Sequence, residues 1–326
     1  MRKVICTPEA VFKEYQKGLD FKTQIGLFET VRKNEKFFIG DQWHGVQANG
    51  LPTPTHNFLK TVTLFIVSSI TSNNIKLTAT PFTGGDKETQ LAVDVVNREF
   101  DRLMELNKIG SLIREFMRNA AVDGDACLYT YFDPDIETGQ AAKGAIVTEI
   151  IENTRVFFGN PNDRRVQKQP YIIIAVRELV DDVKEKAEKY GSPDVDLIMP
   201  DDEEYGSDRS RLTDDKVTVL LKMWKDKETG TIHAYECTKD AEVRPEWDLG
   251  IKLYPIVWMS WDYMQDSYHG QALITGLIPN QVFLNKTIAM TYLSLMTMAY
   301  PKVIYDATRV KRWTNQIGTA IPVNGS

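Results

Sequence analysis

GQALITGLIPNQVFLNKTIAMTYLSLMTMAY, residues 270–300, is the stretch on which the reading of this chain turns. Leu284, Ile288, Tyr292, Leu295 and Ala299 recur at helical spacing and draw one stripe. From Ile288 onward the segment is apolar on nearly every face, with Met290, Leu293, Met296 and Met298 outside that stripe. A helix apolar all round is buried on several sides, so this half is expected inside a core or an interface. Its Thr and Ser content and its length argue against a bilayer span, which takes ~20 mostly apolar residues. Pro279 predicts either a kink or a position near the helix start, because it lacks the amide an interior residue donates. Pro301 predicts the stop. The first half carries Gln271, Asn280, Gln281, Asn285 and Lys286 and is expected to meet water or a polar partner. A plain core helix would satisfy much of the same pattern.

Working outward, the 326 residues allow about two domains and a substantial core. Hydrophobic residues make up 42% and charged residues 26%, the composition of a globular protein without low-complexity tracts. The formal net charge of −6 excludes a global basic field that would pull the chain onto nucleic acid or anionic lipid. Cys6, Cys127 and Cys237 are odd in number, far apart and in no metal spacing, so they read as free thiols in a reducing compartment. No apolar N-terminal segment predicts a secretion signal.

Residues 8–40 predict two short helices joined near Gly18. The loop FFIGDQWHGVQANGLPTPTHN follows, too rich in Gly and Pro for regular structure. His44 and His56 flank it without the Cys or carboxylate neighbours a metal site requires. Residues 56–71 predict a helix capped by Asn57, 75–82 a strand ended by Pro81, and two further helices follow, the first capped by Asp86. From Asp123 the chain turns to strands, at 126–132, 145–151 and 171–176. Asp123, Asp125, Asp133, Asp135 and Glu137 raise a nuclease or calcium reading, but they lack the glycine and terminal glutamate of an EF-hand loop, and turns favour Asp in any case. Arg164, Arg165 and Lys168 form a basic cluster, read first as a solvated turn. VRELVDDVKEKAEKYG (176–191) predicts a helix C-capped by Gly191. The acidic, punctuated stretch 192–215 is the best candidate for a mobile or partner-facing loop. Strands at 216–224, 231–237 and 251–261 then form a small β module crowded with tryptophan.

The order and spacing of NEKFFIGDQWHGVQANGLPTPTHNFLKTVTLFIVSSI, DGDACLYTYFDP, ENTRVFFGNPNDRRVQKQPYIII and HGQALITGLIPNQVFLNKTIAMTY resemble tailed-bacteriophage portal proteins over nearly the whole chain. The resemblance implies an α+β, portal-like fold: a helical and β wing domain at 1–175, a first stem helix at 176–191, and a small β-rich clip module at 192–262. A second stem helix at 263–300 and a strand at 301–326 returning to the wing complete it. The kinked helix with a tunnel loop and the crown usual in that family have no counterpart here. It further implies a homo-oligomeric ring, commonly of twelve subunits, at the capsid vertex of the virion, assembled in the host cytoplasm. Such a ring passes double-stranded DNA at packaging and ejection. It meets terminase, the major capsid protein and head-completion or adaptor proteins, with no membrane, catalytic residue, metal or cofactor.

On this mapping Gln281, Asn285 and Lys286 are expected to line the DNA channel, since Gln281 and Asn285 share a helix face and Lys286 lies one step round. Asp201, Asp202, Glu203 and Glu204 are expected to contact terminase or the connector, and Ile288, Tyr292 and Leu295 to form the subunit interface. Weak phosphate contact suits a channel through which DNA slides, because many counterion-releasing contacts would hold it fast. The competing expectations are a head–tail adaptor ring and a metal-dependent nuclease using Asp123, Asp125, Asp133 and Asp135.

Overall fold

A computed structural model describes residues 6–48, 50–73, 76–82, 85–137, 139, 143–201 and 215–299. Helices come first. α1 (Pro8–Gln24) begins where the Thr7 hydroxyl accepts from the Ala10 amide at 3.4 Å and Pro8 occupies the first turn, whose amides lack helical partners anyway. The break from α2 (Leu27–Ile39) comes at Gly26, which holds φ of 67°. Gly18, expected to separate two helices, lies inside α1. A Cβ there would sit 2.6 Å from Cδ1 of Phe157, so this glycine admits an aromatic ring rather than a turn.

α3 (Phe58–Ile70) is capped by Asn57, which accepts from the Lys60 amide at 3.1 Å. α4 (Lys87–Leu106) is capped by Asp86, which accepts from the Thr89 amide at 3.0 Å. α5 (Ile109–Asp123) follows after a tight turn. The strand expected at 75–82 does not form over the described residues 76–82, which have no partner strand. The Asn97 carboxamide of α4 takes that role, accepting from the Ala79 amide at 2.7 Å and donating to its carbonyl at 3.3 Å.

β1 (Asp125–Asp133) and β2 (Ala145–Ile151) form an antiparallel hairpin, Cys127 facing Ile151 and Asp133 facing Ala145. β3 (Val156–Phe158), β4 (Tyr171–Leu179), β5 (Lys216–Lys225), β6 (Ile232–Cys237) and β7 (Glu242–Asp248) make a second antiparallel sheet in that order. β8 (Ile256–Ser260) returns to pair with β1, Asp125 facing Ser260, so the first sheet runs β2-β1-β8. β7 contains Pro245, whose missing amide suits the edge position it occupies. The isoleucine run of β4 is explained by burial on both faces. Ile172 and Ile174 join Cys127, Phe158, Ile256 and Tyr268 in one core, while Ile173 and Ala175 join Val11, Leu19 and Phe157 beneath α1.

Two boundaries read from sequence are corrected here. Residues 176–179 continue β4, paired with β5 as far as Leu179 opposite Lys216, and only Val180–Lys189 is helical (α6). That 10-residue helix is about 15 Å long and buries Val180, Val183 and Ala187 in a cluster with Val217, Val219 and Val243. The divisions at 175 and 262 also cut across the sheets: β4 bonds to β5, and β8 bonds to β1. Strands assigned to separate wing and clip modules therefore share backbone ladders and one core. The fold is α+β, as expected from sequence. The strand expected at 301–326 lies outside the described residues.

α7 (Leu273–Ala299) ends the described chain, 27 residues and about 40 Å long, with Pro279 at its seventh position. Its first turns pack Ile274 and Ile278 against Phe38 of α2, Leu59 of α3 and Val122 of α5.

Candidate functional site

The root of α7 is assembled from two short segments 145 residues apart, Asp123-Gly124-Asp125 and Tyr268-His269-Gly270. Asp125 is almost wholly buried, because β1 starts under β8 and the chain entering α7. One carboxylate oxygen accepts from His269 Nδ1 at 2.7 Å and the other from the Gly270 amide at 2.8 Å. Gly124, at φ of 100°, passes so close that a Cβ would lie 3.0 Å from the Gly270 carbonyl oxygen. Asp262 and Gln271 close the other side through a two-way backbone bridge at 3.1 and 2.9 Å. Tyr268 stacks on Phe158 and donates its hydroxyl to the Val156 carbonyl at 3.2 Å. Lys22 of α1 reaches the same region, donating to the carbonyls of Asn153 and Val156 at 2.7 and 2.6 Å and standing 3.8 Å above the Phe157 ring. Burial lowers the pKa of both Lys22 and His269, disfavouring their charged forms. Lys22, Asp125, Tyr268 and His269 are closed to solvent, and their chemistry is that of an anchor.

More than two turns into α7, its polar half departs from expectation. Gln281 and Asn285 are buried at 4% and 3% exposure, so they present no polar face to a channel. The Gln281 carboxamide accepts from the Leu59 amide at 3.1 Å and donates to the His56 carbonyl at 2.8 Å and to Asn285 Oδ1 at 2.9 Å. Asn285 in turn donates to Gln42 Oε1 at 2.6 Å. Gln281 thus caps the start of α3 from outside, and the network fastens the punctuated 40–57 loop to the helix. The expected channel-lining role of Gln281 and Asn285 is corrected: their hydrogen-bonding capacity is taken up within the chain. Lys286 is exposed.

The apolar half is the reverse of what all-round hydrophobicity implies for a single chain. Ile288 is half-buried, but Tyr292, Leu295, Met296 and Met298 are 41%, 58%, 58% and 75% exposed. The Tyr292 hydroxyl lies 3.4 Å from His56 Nε2, a polar tie from this half to the loop before α3. α3 adds exposed Phe58 and Phe65, and α4 buries none of its residues, leaving Leu91, Val95 and Val96 open. Scattered exposed apolar residues are ordinary, whereas contiguous apolar helix faces mark interaction surfaces.

The carboxylates read as a possible metal site do not converge. Asp125 is committed to His269 and Gly270, the Asp133 side chain accepts from the Asp135 amide, and Asp135 pairs with Lys189 at 2.6 Å. Glu137 pairs with Lys143. Among the described residues no group of three potential ligands could hold a metal ion. His44 lies 3.3 Å from Asp41. Asp201, expected to contact terminase or the connector, accepts from Arg177 at 2.8 Å and from the Thr218 amide at 3.1 Å, tying the loop to β4 and β5. Asp202, Glu203 and Glu204 lie outside the described residues. In the basic cluster Arg165 pairs with Asp163 and Arg164 lies over Tyr263.

Asp123 differs from its neighbours. It borders a cleft of about 970 Å³ that Glu35, Arg118 and Arg177 also line. Burial, reinforced by Glu35 and opposed by Arg118, pushes its pKa up to about 7. A carboxyl that keeps its proton in the fold to about 7 but releases it near 4 when unfolded supplies stability that is lost as pH rises through that window. Asp123→Asn should therefore gain on wild type progressively from pH ~4, levelling above pH ~7 at roughly 3–4 kcal/mol as an upper bound. Denaturant midpoints at pH 4.5, 6 and 8 check this, and a constant difference across the series would rule it out.

No protein-family model matches the chain, and no curated protein matches it.

Proposed function

We propose that this chain is the subunit of a bacteriophage portal ring, a conduit for double-stranded DNA at the capsid vertex. The observation that carries the reading is α7. Its root is fastened by buried hydrogen bonds, while its distal half projects an apolar surface that none of the described residues covers. A firmly anchored helix with an uncovered apolar end suits a subunit completed by its neighbours. The order of sequence segments resembling portal proteins supports the same conclusion. So does the net charge of −6, since an acidic conduit does not hold DNA through counterion release. Terminase, capsid and head-completion proteins are the partners this reading assigns, and no catalytic step is assigned to the chain.

The test is assembly itself. Sedimentation of the purified protein should show a species many times the 37.2 kDa chain mass, and negative-stain images should show a ring with a central hole. A monomer at high concentration across low and high salt would overturn the proposal. A ring that assembles but fails to bind terminase would favour the head–tail adaptor.

A further inference from the structure

We infer that Arg118 is a pH-operated clasp where α2, α5 and α7 meet. It holds Glu35 and Asn119 while Asp123 keeps its proton, and turns one arm to Asp123 when that proton leaves. This clasp is independent of assembly. Both oxygens of Glu35, on α2, lie against Arg118 Nη2, at 2.6 and 2.8 Å. Nη1 donates to Asn119 Oδ1 at 3.1 Å and stands 4.0 Å from Asp123 Oδ2. The other oxygen of Asp123, Oδ1, is buried with no hydrogen-bond partner. A charge left so is costly, and Asp123 also ends α5, where the helix dipole is negative.

The surrounding charges act in the same direction. Glu35 from α2, Asp125 from β1 and Glu152 from the segment after β2 oppose ionisation of Asp123, and Arg118 favours it. Glu152 is paired with Arg155 at 3.0 Å, Asp125 is committed to His269, and Lys22 of α1 to the Asn153 and Val156 carbonyls. α7 brings no charged side chain before Lys286. To serve an ionised Asp123, Nη1 of Arg118 has only to leave the neutral Asn119 oxygen. The bond between opposite charges is the stronger of the two, so the exchange runs that way. The clasp reaches α7 through two contacts. The guanidinium lies 4.9 Å from the centre of the Phe38 ring, which packs on Ile274 and Ile278. Asn34 of α2 donates to the Val122 carbonyl at 2.8 Å, one residue before Asp123, and to Thr275 Oγ1 of α7 at 2.9 Å.

A double-mutant cycle of Arg118→Gln and Asp123→Asn tests the exchange, read from denaturant unfolding of the full chain at pH 5.5 and 8.5, either side of the value of about 7 at which Asp123 ionises. The two sites should be independent at pH 5.5. At pH 8.5 they should be coupled by roughly tenfold in the unfolding constant, the worth of a hydrogen bond between charged groups. Asn119→Ala gives a second readout that leaves Arg118 intact and stands alone if Arg118→Gln misfolds. Nη1 then has no bond to leave, so the stability difference between Asp123 and Asp123→Asn in that background should level off at a lower pH than in wild type. Amide protection in the second turn of α7, corrected for intrinsic exchange, should drop between the two pH values by more in wild type than in Asp123→Asn. Equal coupling at both pH values, no coupling at 8.5, or an unmoved levelling point in Asn119→Ala would overturn the clasp. Equal drops in protection would overturn its link to α7.

Discussion

Asp125→Ala should cost the fold about 3–5 kcal/mol, the effect of removing one partner from a buried, hydrogen-bonded pair. The carboxylate serves the His269 imidazole and the Gly270 amide together, and alanine leaves both without an acceptor where water does not reach. His269 Nε2 is already buried without a partner, so the ring has no second anchor. Asp125→Asn keeps one acceptor oxygen and should cost less, about 1–2 kcal/mol. Because Gly270 leads into α7, amide exchange in the first turns of that helix should rise before exchange in β4 and β5. Guanidinium unfolding and site-resolved exchange measure the two effects; a loss under ~1 kcal/mol would show that water reaches the pair. Acid acts on the same junction. The pKa of His269 is lowered in the fold by burial, so the unfolded chain takes up its proton first. Stability should fall as pH drops below ~6.5, the ordinary histidine value.

Gly270→Ala is expected to be about as damaging, by ~3 kcal/mol or by preventing folding, through overpacking rather than lost bonds. A Cβ at 270 would stand 2.5 Å from the Asp262 carbonyl oxygen and 2.6 Å from Ser260 Cβ. Neither atom is the end of a flexible side chain, and the Asp262–Gln271 bridge leaves the backbone nowhere to move. Gly276, six residues on, is the control. It is an exposed helical glycine with open space around its Cα, and Gly276→Ala should stabilise by up to ~1 kcal/mol. Thermal midpoints of the two variants should therefore move in opposite directions. Similar shifts in both would mean that the crowding at the root of α7 relaxes at little cost.

Local chemistry legible in the sequence set much of what was found. Asn57 and Asp86 cap the helices they were expected to cap, because a cap satisfies backbone amides within three residues of itself. The alternating and isoleucine-rich runs became strands, and the mixture of elements made an α+β fold. Gly18 shows the limit: sequence marks it as a breaker, yet it sits mid-helix because Phe157, 139 residues later, needs the space. At 176–179 the helical pattern of the charged segment ran back into residues that β5 claimed by pairing.

The polarity of α7 was decided by tertiary structure alone. Periodicity tells which residues share a helix face, and it says nothing of what that face meets. Gln281 and Asn285 look like groups bound for water until the 40–57 loop and the start of α3 present amides, carbonyls and Gln42 to them. The apolar half looks like core, yet none of the described residues covers it. Asp125 and His269 are likewise indistinguishable from ordinary turn residues in a linear reading. Only the return of β8 alongside β1 brings them within 2.7 Å, since a contact between residues 144 apart is set by sheet pairing and not by any local preference.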